Sequence, residues 1–199
     1  LATTFAFALA WHVRGTVPDA SLALWLTLKA LTVLPRGVHA YLFARRKSDS
    51  LHWLTWGIAL LFADGLAWGS AGVLLMDADA PSDMTVIAAS LSGVAAVAAF
   101  AIQADWRACA AFTGAALLPT IGYFAWRGDS FGVYGASSIA VFLVLLLAAA
   151  RRSELHIVEL LALRFRNANL TAQLSVALER TEQESRAKDA FVANMSHEL

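Results

Sequence analysis

Long apolar stretches are the feature that most constrains the fold of this 199-residue chain. Hydrophobic residues make up 59% of the sequence and charged residues 15%, whereas soluble domains have roughly 45–50% and 25%. A stretch of about 17–25 apolar residues is long enough for a helix to cross a bilayer. Such stretches occur at residues 21–44, 54–76, 85–104, 107–126 and 130–150.

The first apolar segment, residues 1–13, is too short to be a complete span. Thirteen residues rising ~1.5 Å each cover about 20 Å of a ~30 Å hydrocarbon core. We interpret it as the end of a truncated first span; a cleaved signal peptide is the alternative, although no small-residue cleavage site follows His12. The sequence therefore predicts an all-α, six-span transmembrane bundle over residues 1–150 in a chain that is a fragment at both ends.

Basic residues are distributed unevenly over the predicted loops. Six lie on one side of the bundle (Arg45, Arg46, Lys47, Arg107, Arg151 and Arg152) and two on the other (Arg14 and Arg127). The positive-inside rule then predicts a multi-pass protein in contact with lipid, with both termini in the cytoplasm. Tryptophans near the span ends, Trp25 among them, are expected to reach the membrane interface, and Trp68 is the exception.

Several functional classes are disfavoured by composition. The net charge is zero, so no global field would attract nucleic acid, and no nucleic-acid partner is expected. The single cysteine, Cys109, cannot form an intramolecular disulfide. The five histidines lack ligand spacing, so no metal site is predicted. Because the loops are short, any signal must be received by the spans or their connections.

The composition of the sequence changes near residue 150. No Gly or Pro follows Gly135, so the sixth span is expected to continue as one helix. Apolar positions then recur at alternating spacings of four and three, which is a heptad pattern. It predicts a parallel dimeric coiled coil over residues 151–186, with a solvated single helix as the alternative. The seam comprises Leu163, Asn167, Leu170, Leu174 and Ala177.

Residues 188–199 contain the string F-V-A-N-M-S-H-E-L. This string resembles the first half of the phosphoacceptor box of sensor histidine kinases. The resemblance implies that residues 187–199 begin a dimerisation and phosphoacceptor domain, that His197 accepts the γ-phosphoryl group of ATP, and that Glu198 assists. It also implies that ATP and Mg bind a catalytic domain absent from this chain, which is expected to hold no cofactor and to be inactive alone. A response regulator or receiver domain would be the downstream partner.

The order of segments extends this resemblance. Six short-looped spans precede L-x-L-R-F-x-N-x-x-L at residues 161–170 and A-K at 187–188. This order resembles bacterial membrane-embedded sensor kinases, which implies an inner-membrane location. The predicted function is the sensory and dimerisation fragment of a two-component histidine kinase. A membrane receptor with another output, and a channel or transporter with a coiled-coil tail, are the alternatives.

Ionisable residues inside the predicted spans mark a candidate site, because charges at that depth are costly. Lys29, Arg36 and His39 share one face of the second span, and Asp64 lies at a matching depth on the third, one turn before Trp68. One interpretation is a structural Arg36–Asp64 ion pair, with Lys29 and His39 extending to opposite interfaces. The others are a ligand pocket around Arg36, Asp64 and Trp68, or a proton or ion pathway.

Two further features concern this region. Gly65 and Gly69 form a G-x-x-x-G motif that predicts close approach of another helix. Tyr123 is a polar ligand-binding candidate on another span. Family analogy suggests a small amphiphilic signal molecule as the ligand, and the sequence itself does not identify it.

Overall fold

The computed structural model describes residues 2–46, 51–77 and 80–197. Within these ranges the secondary structure consists of α-helices and one isolated bridge between Arg14 and Val17. The predicted all-α class is therefore confirmed for this part of the chain. The helices are α1 (Ala2–His12), α2 (Asp19–Arg46), α3 (Leu51–Gly69), α4 (Ala71–Leu74), α5 (Pro81–Ala101), α6 (Trp106–Arg127) and α7 (Ser130–His197).

Four helical segments of the described residues are long and apolar enough to cross a membrane: His52–Leu74, Pro81–Ala101, Trp106–Arg127 and Ser130–Thr181. The predicted number is six. Helix α1 is short, with 11 residues. Helix α2 has 28 residues, but Lys29 and Arg36 lie in its central part and lower its mean hydropathy.

The chain divides into two compact units, Leu1–Glu154 and Leu155–Leu199. In the first unit, α2 and α3 pack antiparallel, since Trp25 near the start of α2 contacts Trp68 near the end of α3. Helices α3 and α6 run parallel: Gly65 faces Phe112, and one turn further along both helices Gly69 faces Ala115.

The turn between α6 and α7 depends on two residues. Gly128 adopts a left-handed φ of 72° and ends α6, a conformation that glycine adopts without steric cost. Asp129 then caps α7, because its Oδ1 accepts a 2.6 Å hydrogen bond from the Gly132 N–H. The hydrogen bond from Arg127, followed by that from Gly132, lowers the pKa of Asp129 below its usual range.

The outer surface of the first unit is rich in large apolar side chains. Phe100 is 77% exposed and Trp126 is 85% exposed, and others include Phe7, Trp11, Leu31, Leu34, Trp56, Val97, Leu118 and Leu145. A soluble monomer rarely exposes contiguous apolar patches of large size. This surface is compatible with a lipid environment.

Helix α7 continues from Ser130 to His197, which confirms the expectation of one uninterrupted helix after the last apolar segment. In the second unit the described seam residues are solvent-exposed, including Leu163, Leu170 and Leu174. The coiled coil itself needs a second chain and stays a prediction.

Candidate ligand site in the helical bundle

Asp64 is the centre of a buried polar cluster between α2 and α3. It is only 1% exposed. Its Oδ1 accepts hydrogen bonds from Lys29 Nζ at 2.5 Å and from Thr32 Oγ1 at 3.2 Å, and its Oδ2 accepts one from Arg36 Nη1. Residues 29, 32 and 36 lie on one face of α2 because three- and four-residue steps return to the same side of a helix.

Lys29 is a full member of this cluster. It is 5% exposed, and its ammonium lies 4.4 Å from the centroid of the Trp68 ring. A carboxylate and an aromatic face both attract an ammonium. The interpretation in which Lys29 extends to the membrane interface is therefore wrong, whereas the predicted Arg36–Asp64 contact is present.

Two tryptophans close the cluster at one end. Trp25 and Trp68 are fully buried, and their rings meet edge to face with centroids 5.8 Å apart. The Trp25 N–H donates to the carbonyl oxygen of Ala67 at 3.0 Å. The prediction that Trp25 reaches the interface is therefore wrong, since its polar atom finds an acceptor inside the bundle. Its position four residues before Lys29, on the same helix face, is the signal that sequence reasoning missed.

The other predicted ligand-binding residues lie away from Asp64. His39 contacts the start of α3, with its ring centroid 5.0 Å from that of Trp53. Tyr123 packs against Phe124, with ring centroids 6.3 Å apart, and lies beyond Thr120 on α6. The structure therefore brings together four of the predicted residues: Lys29, Arg36, Asp64 and Trp68. His39 lies further along the pair formed by α2 and α3, and Tyr123 lies on α6.

Glycines let α6 approach α3 beside the cluster. A Cβ at Gly65 would overlap the Phe112 carbonyl oxygen, and a Cβ at Gly69 would overlap the Ala115 carbonyl oxygen and the Pro119 ring. The close approach predicted from G-x-x-x-G is thus confirmed. Pro119 has no N–H to donate to the carbonyl of Ala115 one turn earlier, which leaves that oxygen facing Gly69.

Gly72 extends this glycine seam by one turn. A Cβ there would overlap the side chain of Thr120. The predicted G-x-x-x-G motif ends at Gly69, the last residue of α3, whereas Gly72 lies in α4, so helix periodicity alone does not predict its contact with α6.

Three polar atoms of the first unit, one of them in the cluster, are buried without a hydrogen-bond partner among the described residues. They are the indole Nε1 of Trp68, the Nε2 of His39 and the hydroxyl of Thr120. The side chain of Arg36 is 40% exposed. The cluster therefore has unused hydrogen-bonding capacity as well as an exposed cation.

An apolar cavity of about 250 Å³ adjoins the cluster between α1 and α2. The stem of Lys29 forms part of its wall, and the exposed Phe7 and Leu34 stand at its edge. The remaining lining residues are Ala6, Leu26, Ala30 and Val33.

The predicted phosphoacceptor residues are a separate site. His197 is the last residue of α7, and only its helical backbone is described. Glu198 lies outside the described residues. In the described ranges, no group of three or more His, Cys, Asp or Glu residues is arranged to hold a metal ion.

Comparison with known proteins identifies no relative: no family model, no curated protein and no solved structure matches this chain.

Proposed function

We propose that this chain is the sensory and dimerisation part of a transmembrane histidine kinase. The observation that supports this most strongly is the string F-V-A-N-M-S-H-E-L at residues 191–199. A bare His-Glu pair is common on helices, whereas the nine-residue string following apolar helices and a heptad pattern is specific. A transporter has no need of such a string, and a receptor with another output would lack it.

We propose that α1 and α2 cross the membrane together with the four more apolar segments. Pairing with Asp64 would lower the cost of placing the two basic side chains of α2 in a membrane, so the helix need not be wholly apolar. The Arg151 guanidinium lies over the Trp106 ring, 5.6 Å from its centroid, so Arg151 and the start of α6, where Arg107 follows Trp106, lie at the same end of the first unit. This is the end assigned to the cytoplasm of a bacterial inner membrane.

The signal is received at the Asp64 cluster in this proposal. The cluster joins α2 to α3, and the glycine seam joins α3 to α6, so a ligand that changes the Asp64 contacts would change helix packing. The unpartnered N–H of Trp68 offers a donor to a ligand oxygen. A small amphiphilic molecule fits a site that combines these polar groups with an apolar cavity.

Dimerisation is assigned to the seam of α7. Two copies packed in parallel would bury Leu163, Leu170 and Leu174, and Asn167 would pair with its own copy and fix the register. A weakly apolar seam suits a coiled coil that changes packing at low energetic cost.

The chemistry assigned to His197 is phosphoryl transfer. The neutral imidazole nitrogen attacks the γ-phosphorus of ATP, a nitrogen–phosphorus bond forms, and the bond to the ADP oxygen breaks. Glu198 orients the imidazole or accepts its proton. The catalytic domain would supply ATP with Mg, and a response regulator or receiver domain would take the phosphoryl group.

The test is phosphorylation of the chain joined in frame, after Leu199, to the remaining dimerisation helix and ATP-binding domain of a histidine kinase. With labelled ATP we expect acid-labile label on the chain, and His197→Gln is expected to remove it. His156→Gln is the matched control, because His156 is an exposed histidine on the same helix. Label that persists in His197→Gln, or a wild-type chain that takes no label, would overturn the proposal.

A further inference from the structure

Lys29 belongs both to the Asp64 cluster and to the apolar cavity between α1 and α2. Its Nζ donates to Asp64 Oδ1 and lies 4.4 Å from the centroid of the Trp68 ring. The same residue lines the cavity, where it is the one polar side chain among the described lining residues. Lys29 therefore joins an apolar binding surface to a primary amine and its carboxylate partner.

The surroundings of Lys29 are those in which a lysine amine acts as a nucleophile. Burial and a neighbouring cation both favour the neutral amine, whose electron pair is free to attack a carbonyl carbon. Lys29 is only 5% exposed. Arg36 is the neighbouring cation, and because it donates to the other oxygen of the same carboxylate, Asp64 is not reserved for Lys29.

The cavity sets the polarity and size of the rest of the ligand. Its other lining residues are apolar, and Phe7 and Leu34 at its edge are exposed on the outer surface of the first unit. In the proposed topology an apolar ligand could therefore enter from the lipid. A methylene group is similar in volume to a water molecule in the liquid, ~30 Å³, so a cavity of about 250 Å³ accommodates a chain of about eight carbons.

We propose that Lys29 binds a medium-chain aliphatic aldehyde covalently, as an imine, with the alkyl chain in this cavity. An aldehyde is the ligand class that suits a buried amine, because its carbonyl group condenses with the amine, whereas an alcohol or a carboxylate does not. Formation of the imine does not depend on kinase activity. Its role as the signal rests on the function proposed above.

The condensation uses the groups around Lys29. Asp64 accepts a proton from the ammonium, the amine nitrogen attacks the carbonyl carbon, and the carbonyl oxygen takes up that proton. A second proton passes from the nitrogen to the oxygen, the carbon–oxygen bond breaks, and water leaves. The products are one water and a protonated imine, so the positive charge at position 29 is retained. Asp64 is then its counter-ion, beside the face of the Trp68 ring.

The test is trapping of the imine. The 199-residue chain in phosphatidylcholine nanodiscs is incubated with octanal, cyanoborohydride reduces the imine to a stable secondary amine, and peptide mass spectrometry locates the label. The chain has three lysines, so Lys47 and Lys188 are internal references. Lys29 should be labelled saturably, at an octanal concentration at least tenfold lower than either reference requires. Equal labelling of all three lysines, or no label on Lys29, would overturn the proposal.

A shorter aldehyde and a cavity variant test the place of the alkyl chain. Relative to Lys47, acetaldehyde should label Lys29 at least tenfold less efficiently than octanal. Ala30→Phe, which fills the cavity, should reduce labelling of Lys29 by octanal but not by acetaldehyde. Ala40→Phe, at an exposed position of α2 outside the cavity, is the matched control and should change neither. Unchanged octanal labelling in Ala30→Phe would show that the chain lies elsewhere.

A second measurement avoids the reducing agent. Octanal with ¹³C in the carbonyl group should give an imine resonance that Lys29→Arg removes and Lys47→Arg keeps. If Lys29→Arg fails to fold, the labelling pattern of the wild-type chain still decides the question. An imine at Lys29 that leaves the output of the kinase fusion unchanged would contradict the role as signal and leave this site intact. A fusion that phosphorylates His197 but forms no imine at Lys29 would overturn the site and leave the proposed function intact.

Discussion

The Asp64 cluster and the seam of α7 differ in where their side chains find partners. In the cluster, one carboxylate with 1% exposure accepts hydrogen bonds from three side chains of the neighbouring helix. In the second unit, the described seam residues Leu163, Leu170 and Leu174 are exposed by about half or more. The first region is stabilised within one chain, and the second has apolar surface that a second chain would bury.

The effects of substitutions in the two regions should therefore depend on protein concentration in different ways. Contacts inside the bundle contribute to the stability of each chain at any protein concentration. Contacts along the seam contribute only on association, so their effect depends on concentration. The predictions below use this difference, beginning with the largest expected effect.

Asp64→Asn is expected to have the largest effect. It leaves the buried Lys29 and the partly exposed Arg36 without their carboxylate partner, which should lower the free energy of unfolding by about 3–5 kcal/mol. Thermal unfolding in a neutral detergent measures the loss. Asp19→Asn, in the exposed first turn of α2, is the matched control and should change stability far less. A loss that varied with protein concentration would show that the cluster acts between chains.

Exchanging the charges at positions 36 and 64 tests whether Lys29 belongs to the cluster. The double variant Arg36→Asp with Asp64→Arg would restore an isolated pair, but here it places Lys29 against a new arginine. It should therefore recover only a minor part of the stability. Removing all three charges with Lys29→Met, Arg36→Met and Asp64→Asn should recover most of it. Full recovery in the exchange variant would mean that Lys29 is not part of the cluster.

Leu174→Asp is expected to weaken dimerisation while leaving the stability of the bundle unchanged. Loss of one buried leucine per chain corresponds to about 1.5–3 kcal/mol. Analytical ultracentrifugation in density-matched detergent measures the dimer, and Cys at Leu170 or Leu174 should crosslink under mild oxidation. Cys at Arg166 or Ser175, also on the exposed helix but outside the seam, should crosslink poorly. Equal yields at all four positions would favour the single solvated helix.

Gly69→Ala is expected to separate α3 from α6. The added Cβ overlaps the Ala115 carbonyl and the Pro119 ring, so we expect a loss of about 1–3 kcal/mol. Gly93→Ala on α5 is the matched control, because nothing lies within 4 Å of its new Cβ. It should stabilise the chain by about 0.5–1 kcal/mol through helix propensity. Thermal unfolding should therefore show a loss of stability for the first variant and a gain for the second. Stability changes of the same sign would contradict the contact between α3 and α6.

Acidification is expected to have the smallest effect, at the start of α7. The pKa of Asp129 is lowered in the folded chain, chiefly by its hydrogen bond from Arg127. Its stabilising contribution is therefore complete above the unfolded pKa of about 3.9 and is lost as the pH falls through the lower folded pKa. Carboxyl NMR titration measures this. Arg127→Gln should raise the pKa towards its usual range, and an unchanged pKa would contradict the assigned cause.

Much of the fold could be predicted because hydropathy and helix-breaking residues act locally. The absence of Gly and Pro after Gly135 correctly predicts that α7 continues without interruption. The Arg36–Asp64 contact and the approach of a helix at Gly65 and Gly69 follow from depth and helix faces, and both are present.

The errors at the site have a common physical cause. Depth alone predicts that Lys29 and Trp25 reach the interface, whereas both side chains bond to groups on α3. Which partner a long side chain selects depends on tertiary packing, which no local pattern records. The functions of His197 and Glu198 rest on a motif and stay predictions.

In the six-span topology proposed above, the sharing of Asp64 has a consequence for how the chain would enter a membrane. Helix α2 is the long helix of the first unit that falls outside the segments apolar enough to span, and the charges of Lys29 and Arg36 oppose its release from the insertion machinery into lipid. Their counter-charge belongs to α3, which is synthesised later. We expect α2 to remain beside the translocon until α3 emerges, so that the two helices partition into lipid as a hairpin. Release of α2 into lipid would then be delayed until α3 has been synthesised.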